Sequence, residues 1–425
     1  MSDAEPASPA LLRGIMLKNL GRFADAEKAF REVLAFDAHD AFALHQLAAC
    51  QFRLPGRHHD ALETIRAAIA VEPREANHFA MEGFILCALE RSREALETAD
   101  RAISIDPFSG FAFTARTQAL LQLEQWALAE ASARQALTID PDNSLAANQF
   151  AQTLRLQNKT AENAQHIAGM LARDPEDAFT HANAGWAALQ SGRRSEAESH
   201  FREALRLNPG FASAREGLMN AFRARSRLYR MYLAYCFWMQ RLTAKARWAV
   251  ILGLYGAYML VFVLLFQKGQ HLAIAITLGI LYFILVLWSW IARGVGNFIL
   301  LFDSLVRQAL LRNEKIEAVA VGGGVCIGSV LFGAGFAANL LIPIVAGAGL
   351  VAAAFPFSLT FTNNSPAGSR LFGCIGFGTL AAAVLVMVES VHPFLSDIVA
   401  VKIFLSCLVC CIASTWLGNL RVLRR

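Results

Sequence analysis

The sequence predicts an all-α protein in two parts, a helical-repeat solenoid followed by a six-helix transmembrane bundle. Three observations carry this prediction. Five prolines, Pro73, Pro107, Pro141, Pro175 and Pro209, stand 34 residues apart and close the phrases VEP, IDP, IDP, RDP and LNP. A fixed period of this length marks helix pairs that stack side by side. After residue 247 the chain turns into apolar runs near the ~20 residues a helix needs to cross the hydrocarbon core. Charge divides at the same place: residues 1–222 carry 22 Lys/Arg against 29 Asp/Glu, and residues 223–425 carry 17 against 5. An acidic soluble lobe joined to a basic membrane part accounts for the overall +5, so the basic balance is no argument for nucleic acid.

Within each unit, Ala26, Ala61, Ala95, Ala129 and Ala197 recur at one position, where a small residue lets two helices approach closely. Four residues later come Phe30, Ile65, Ala99, Ala133, Ile167 and Phe201, and three beyond those Val33, Ala68, Ala102, Ala136, Met170 and Ala204. This spacing keeps one helical face apolar. An upstream helix carries Gly14, Gly83 and Gly185 at its close-packing position. The proline ends the second helix, because it cannot continue one and biases its predecessor away from helical geometry.

These residues resemble the tetratricopeptide repeat, as six units over about 7–209 within a solenoid domain of 1–222 that ends in a capping helix. The last unit matches best, with Gly185, Ala197, Phe201, Ala204 and Pro209 all on the pattern. Departures are visible: the early Trp is Phe79, Phe113, Ala147 or His181, and the fifth unit has Asn163 where the small Ala belongs. The second unit carries one extra residue around Leu54-Pro55-Gly56. The resemblance implies a curved surface that holds a protein or peptide partner, with the first helix of each unit on the concave side. Phe84, Phe111, Gln118, Asn148, Gln152, Arg155, Phe179 and Trp186 then face that partner. Packing between neighbouring helices is the competing role for each aromatic. Asn148 and Arg155 share a face, but the rest of the carboxylate clamp of the chaperone-tail binders is not evident, and that partner is not assigned.

Residues 223–247 hold seven Arg/Lys and no acid, and predict a basic amphipathic juxtamembrane helix. Leu228, Met231, Tyr232, Tyr235, Trp238, Met239 and Leu242 form its apolar stripe, and Arg223, Arg227, Arg230, Arg241 and Lys245 are candidate ligands for anionic lipid. The alternative role, compatible with the first, is to cap the last repeat. Six spans follow in 248–417, at 248–266, 272–292, 319–338, 340–361, 371–389 and 398–417, and a basic tail closes the chain at 418–425. The 319–361 stretch reads either as two spans with a tight turn or as one span and a re-entrant segment. Six spans with both ends in the cytoplasm leave only Lys268 outside among the loop cations, which favours two spans by the positive-inside rule. The polar N-terminal segment is no cleavable signal, so the first span acts as the targeting signal. Residues 294–318, with Ile299, Phe302, Val306 and Leu310 against Asp303 and Arg307, suggest a second interfacial helix. The third span is glycine-rich, and its Gly324-x3-Gly328 suits close contact with another helix or a second copy of the chain.

No catalytic, cofactor or metal motif stands out. Cys407-x2-Cys410-Cys411 is mid-span without a histidine companion, and no charge sits at the middle of any span. The pairing of solenoid and bundle resembles bacterial repeat proteins of the cytoplasmic membrane. The reading that follows is a membrane-anchored scaffold whose cytoplasmic repeats recruit partners. The alternatives are a transporter or channel with a regulatory repeat lobe and, third, a membrane enzyme.

Overall fold

The computed structural model describes residues 8–267, 290–363, 365–390 and 397–417, together with Trp288. Among the described residues every regular element is helical. The chain forms two compact units, Met1–Gly217 with Gln240–Ala246, and Leu218–Met239 with Arg247–Arg425.

The first unit is built from twelve helices: α1 (Pro9–Asn19), α2 (Phe23–Phe36), α3 (Ala41–Arg53), α4 (His58–Val71), α5 (Ala76–Ala88), α6 (Ser92–Ile105), α7 (Gly110–Gln122), α8 (Trp126–Ile139), α9 (Ser144–Leu156), α10 (Thr160–Arg173), α11 (Ala178–Gln190) and α12 (Arg194–Leu207). They make six pairs, as the period predicts. The turn between pairs is written into the proline phrase. Asp106 and Asp174 fold their side chains onto the amides of Phe108 at 2.9 Å and Glu176 at 3.0 Å, arresting the preceding helix. Two residues past each proline, Ser109, Asn143 and Asp177 accept from free amides of the next helix and cap it. Inside the pairs the chain reverses through a left-handed residue at the same register: Glu90, Glu124, Asn158 and Gly192, with φ of 60°, 60°, 62° and 77°. The extra residue of the second unit is absorbed in this inner turn, where Gly56 takes the left-handed position at φ 76°.

The alanine column Ala26, Ala61, Ala95, Ala129 and Ala197 is wholly buried. Phe30 and Phe201 fill the space beside it in the first and sixth units. A Cβ on Gly14 or Gly185 would come within 2.8 Å and 2.6 Å of those rings, which is why glycine stands there. The fifth unit is poorer: α10 buries only Asn163 and Ile167.

The second unit starts inside α13 (Ala212–Arg223) and continues with α14 (Arg227–Arg241), α15 (Ala244–Gln267) and α16 (described from 290 to 300). Then come α17 (Ser304–Ala309), α18 (Arg312–Glu317), a π-helical turn (Ala318–Gly323), α19 (Gly324–Ala338), α20 (Leu341–Thr362), α21 (Pro366–Glu389) and α22 (Asp397–Leu417). Arg312–Ala338, Leu341–Thr362 and Pro366–Glu389 are long and apolar enough to cross a membrane. Asn339, left-handed at φ 54°, ends α19, and extended Leu340 leads into the 22 residues of α20. The 319–361 stretch is therefore two helices joined by a tight turn, each part of a helix long and apolar enough to span. α15 and α22 cover the expected spans 248–266 and 398–417, whereas most of 272–292 and the tail 418–425 lie outside the described residues.

One expectation needs correcting, and another is narrowed. Residues 294–318 do not form one interfacial helix, because the chain breaks at 301–303 and again near Leu311; Val306 and Leu310 are buried while Ile299 and Phe302 are exposed. The glycine stripe is used within the chain: a Cβ on Gly328 would meet the Gly347 carbonyl at 2.9 Å, and one on Gly335 the Ile344 amide at 2.8 Å. Of the two partners expected for this stripe, another helix of the same chain, α20, is the one met at Gly328 and Gly335.

Candidate functional site

The first helices of successive repeats lie side by side, and α7, α9 and α11 with the start of α13 form a groove of about 430 Å³. Six of the eight residues expected on the concave side line it: Gln118, Asn148, Gln152, Arg155, Phe179 and Trp186. Phe84 and Phe111 do not. Their rings pack on one another at 5.1 Å, and Phe84 is buried in the core of its own repeat. There the packing role holds.

The groove floor is a ladder of side-chain amides. Asn183 Nδ2 donates to Asn148 Oδ1 at 2.7 Å, Asn148 Nδ2 donates to Asp177 Oδ2 at 3.0 Å, and Gln149 Nε2 donates to Gln118 Oε1 at 3.2 Å. Burial works to raise the Asp177 carboxyl, but donors from Thr180, Asn148 and two backbone amides outweigh it and hold it below the usual range. One wall is aromatic. Trp186 stands edge-on to Phe201 at 5.4 Å and donates its Nε1–H to Ser213 at 3.2 Å, and Phe179 packs on Phe211 at 4.6 Å. At the end of the ladder stands Arg155. It makes no side-chain hydrogen bond or ion pair among the described residues, its Nε is buried, and burial pushes its pKa down to about 10. Interleaved amides, two aromatic anchors and an unpaired cation suit an extended chain with backbone groups to satisfy and an acid to offer.

The juxtamembrane residues divide differently from the expectation. α14 buries Tyr229, Leu233 and Phe237 against the second unit. The expected stripe lies on the opposite side, where Leu228, Met231, Tyr235 and Trp238 are exposed, with Arg227 and Arg230 exposed beside it. Arg223 drops out of the lipid-binding set: it is buried, donating from Nε to Asn297 at 2.8 Å and from Nη1 to Asn220 at 2.9 Å. Arg241 is half-buried, and Lys245 falls beyond the break at 242–243, on α15. Asn297 in turn donates to Glu317 at 3.3 Å, and Arg293 lies 3.3 Å from the same carboxylate, whose residue is fully buried. This cluster was missed from sequence because bonded members such as Arg223 and Asn297 are 74 positions apart with no periodic signal.

Among family models, that of the tetratricopeptide repeat matches residues 178–211. The comparison with curated proteins finds no relative. Similar solved structures include a tetratricopeptide repeat protein from Parabacteroides merdae (16% identity, 50% of this chain and 85% of that chain, TM-score 0.44). PilF of Pseudomonas aeruginosa shares 21% identity over 51% of this chain and 96% of its own, with a TM-score of 0.40. YrrB, a repeat protein described as having an unusual peptide-binding site, shares 21% over 44% and 96%, with a TM-score of 0.32. The N-terminal half of this chain has the fold of a tetratricopeptide-repeat solenoid, six stacked helix pairs, and the pair in 178–211 is the one the family model matches.

Proposed function

We propose that the protein is a membrane-anchored scaffold that holds an extended segment of a partner protein in the α7–α9–α11 groove. The observation that carries this reading is the groove itself: two sets of hydrogen-bonded side-chain amides beside Trp186 and Phe179, with the unpaired Arg155 also in its lining. Backbone amides and carbonyls of an extended chain satisfy Asn and Gln side chains at little cost in specificity, while an aromatic anchor fixes the register. The bundle holds this surface at a bacterial cytoplasmic membrane, and α14 lies on anionic lipid through its exposed stripe with Arg227 and Arg230. Affinity capture from detergent-solubilised membranes tests the reading. The full chain retains a partner that Trp186→Ala with Asn148→Ala loses, whereas Arg227→Gln with Arg230→Gln keeps it. Equal capture by all three proteins would exclude the groove.

The second reading, a transporter or channel with a regulatory repeat lobe, has one observation in its favour. Buried Glu317 with Arg293, Asn297 and Arg223 stands beside a π-helical turn, a local form frequent at functional sites. Loss of cell phenotype on Glu317→Gln, with partner capture intact, is the result that would move the assignment there.

A further inference from the structure

A second cavity opens on the other side of Arg155, between α9, α10, α11 and α12, with a volume of about 280 Å³. It lies at the fifth repeat, which departs from the pattern. Ile167 packs there with Ala151 and Ala184, and Ile167 and Ala184 line the cavity. Asn163 stands where the other repeats have a buried alanine. It is 3% exposed, and its Oδ1 is buried with no hydrogen-bond partner. Arg155 presents the matching anomaly, a buried Nε with no partner. The two residues that carry an unmet donor and an unmet acceptor thus both line one cavity.

The charge of the cavity is settled by its rim. Glu196, the acid in the lining, is paired with Arg193 by two bonds of 2.8 Å. His200 shares a 3.1 Å contact with His181, and burial, with the His181 charge second, keeps its pKa low, so at neutral pH it adds no cation. What remains is the uncompensated guanidinium of Arg155 against an apolar wall of Ile167, Leu171 and Ala187.

We propose that this cavity is a binding site for a small carboxylate that carries a hydroxyl or amino group, the carboxylate taken by Arg155 and the donor by Asn163 Oδ1. The chemistry follows from the two unmet groups: a guanidinium prefers a carboxylate, and a buried amide oxygen needs an N–H or O–H. The short apolar wall takes a body of a few carbons. The cavity and the peptide groove meet at Arg155, which lines both; Asn163 lines the cavity and not the groove, and Trp186 the groove and not the cavity, so the two residues tell the sites apart.

The test uses the full chain in detergent with lactate and propionate, two probes of similar size of which only lactate carries a hydroxyl. Saturation-transfer NMR of the probe methyl groups reads the binding. Both probes bind saturably in the millimolar range, about Kd 1 mM or weaker, and lactate binds more tightly. Arg155→Met lowers binding of both by about tenfold, the loss of one charge-assisted pair. Asn163→Ala, which restores the residue of the other repeats, brings lactate down to the level of propionate. Trp186→Ala changes neither. Asn163→Ala keeps the fold by design, so the selectivity readout stands even if Arg155→Met is unstable. The proposal is overturned if neither probe gives a saturable signal, if lactate keeps its advantage in Asn163→Ala, or if Trp186→Ala abolishes binding. The first of these outcomes means the cavity holds only water.

Discussion

Gly192 and Gly169 have equally empty surroundings, since a Cβ at either meets nothing within 4 Å, yet alanine acts on them in opposite directions. Gly192 sits in the left-handed inner turn at φ 77°, so Gly192→Ala destabilises by about 1 kcal/mol through backbone strain alone. Gly169 lies inside α10, where glycine has only an entropic cost, so Gly169→Ala stabilises by about 0.5–1 kcal/mol. Denaturation of the two variants, followed by helical circular dichroism, checks both signs. A third residue-scale prediction concerns His45, whose Nδ1 lies 3.0 Å from Nδ1 of His78. Burial first, then the His78 charge, pushes its pKa down to about 4. An unfolded histidine titrates near 6.5, so between about pH 4 and 6.5 the unfolded chain binds more protons. This contribution to stability is full above pH 6.5 and is lost as pH falls through that window, by up to about 3 kcal/mol. Replacing His45 by leucine flattens the acid limb of a melting-temperature profile taken from pH 7 to 4. At this scale the sequence was legible where a motif column dictated the residue, as with Ala26 or Phe201. It was not legible at Phe84 or Arg223, because one helical face reads the same whether a neighbouring helix or solvent covers it.

α14 shows the same ambiguity at the scale of an element. Its apolar residues occupy two opposite faces, and hydrophobic periodicity reports only one. The face of Tyr229, Leu233 and Phe237 is satisfied within the second unit, which leaves Leu228, Met231, Tyr235 and Trp238 exposed beside Arg227 and Arg230, the surface proposed to meet lipid. A peptide of residues 226–243 binds vesicles with anionic lipid more tightly than neutral ones, and rising salt erodes the difference. Arg227→Gln and Arg230→Gln each remove about 1 kcal/mol of that preference. Vesicle flotation measures both, and equal binding to the two vesicle types would leave α14 with only its packing role. The repeat helices were readable by contrast, since proline, cap and alanine column all repeat at one interval. The break of 294–318 into α16, α17 and α18 left no such trace, because Asp303 and the short polar run near Arg312 are also compatible with a continuous surface helix.

For the whole molecule, the two-part plan follows from composition and period, and three helices of the second unit have the length and apolarity that a span requires. The expected count of six and the expected orientation rest on loop charge alone. A reporter fused after Arg425 is active in the cytoplasm, and one inserted at Gln270 is active on the opposite side; an external signal from the C-terminal fusion would reduce the count to an odd number. The groove was legible only in part, because the sequence fixes which helix lines the concave side but not how far along the solenoid the floor stays polar. The turn phrase itself has a consequence for how such a chain changes length over evolution. Asp106 arrests α6 and Asn143 starts α9, so excising Pro107–Asp140 joins Asp106 to Pro141-Asp142-Asn143 and regenerates the same stop and start at the seam. Duplication or loss of one 34-residue block therefore leaves no uncapped helix end. The solenoid can gain or shed reach in whole steps of one helix pair, while the rest of the surface is inherited intact.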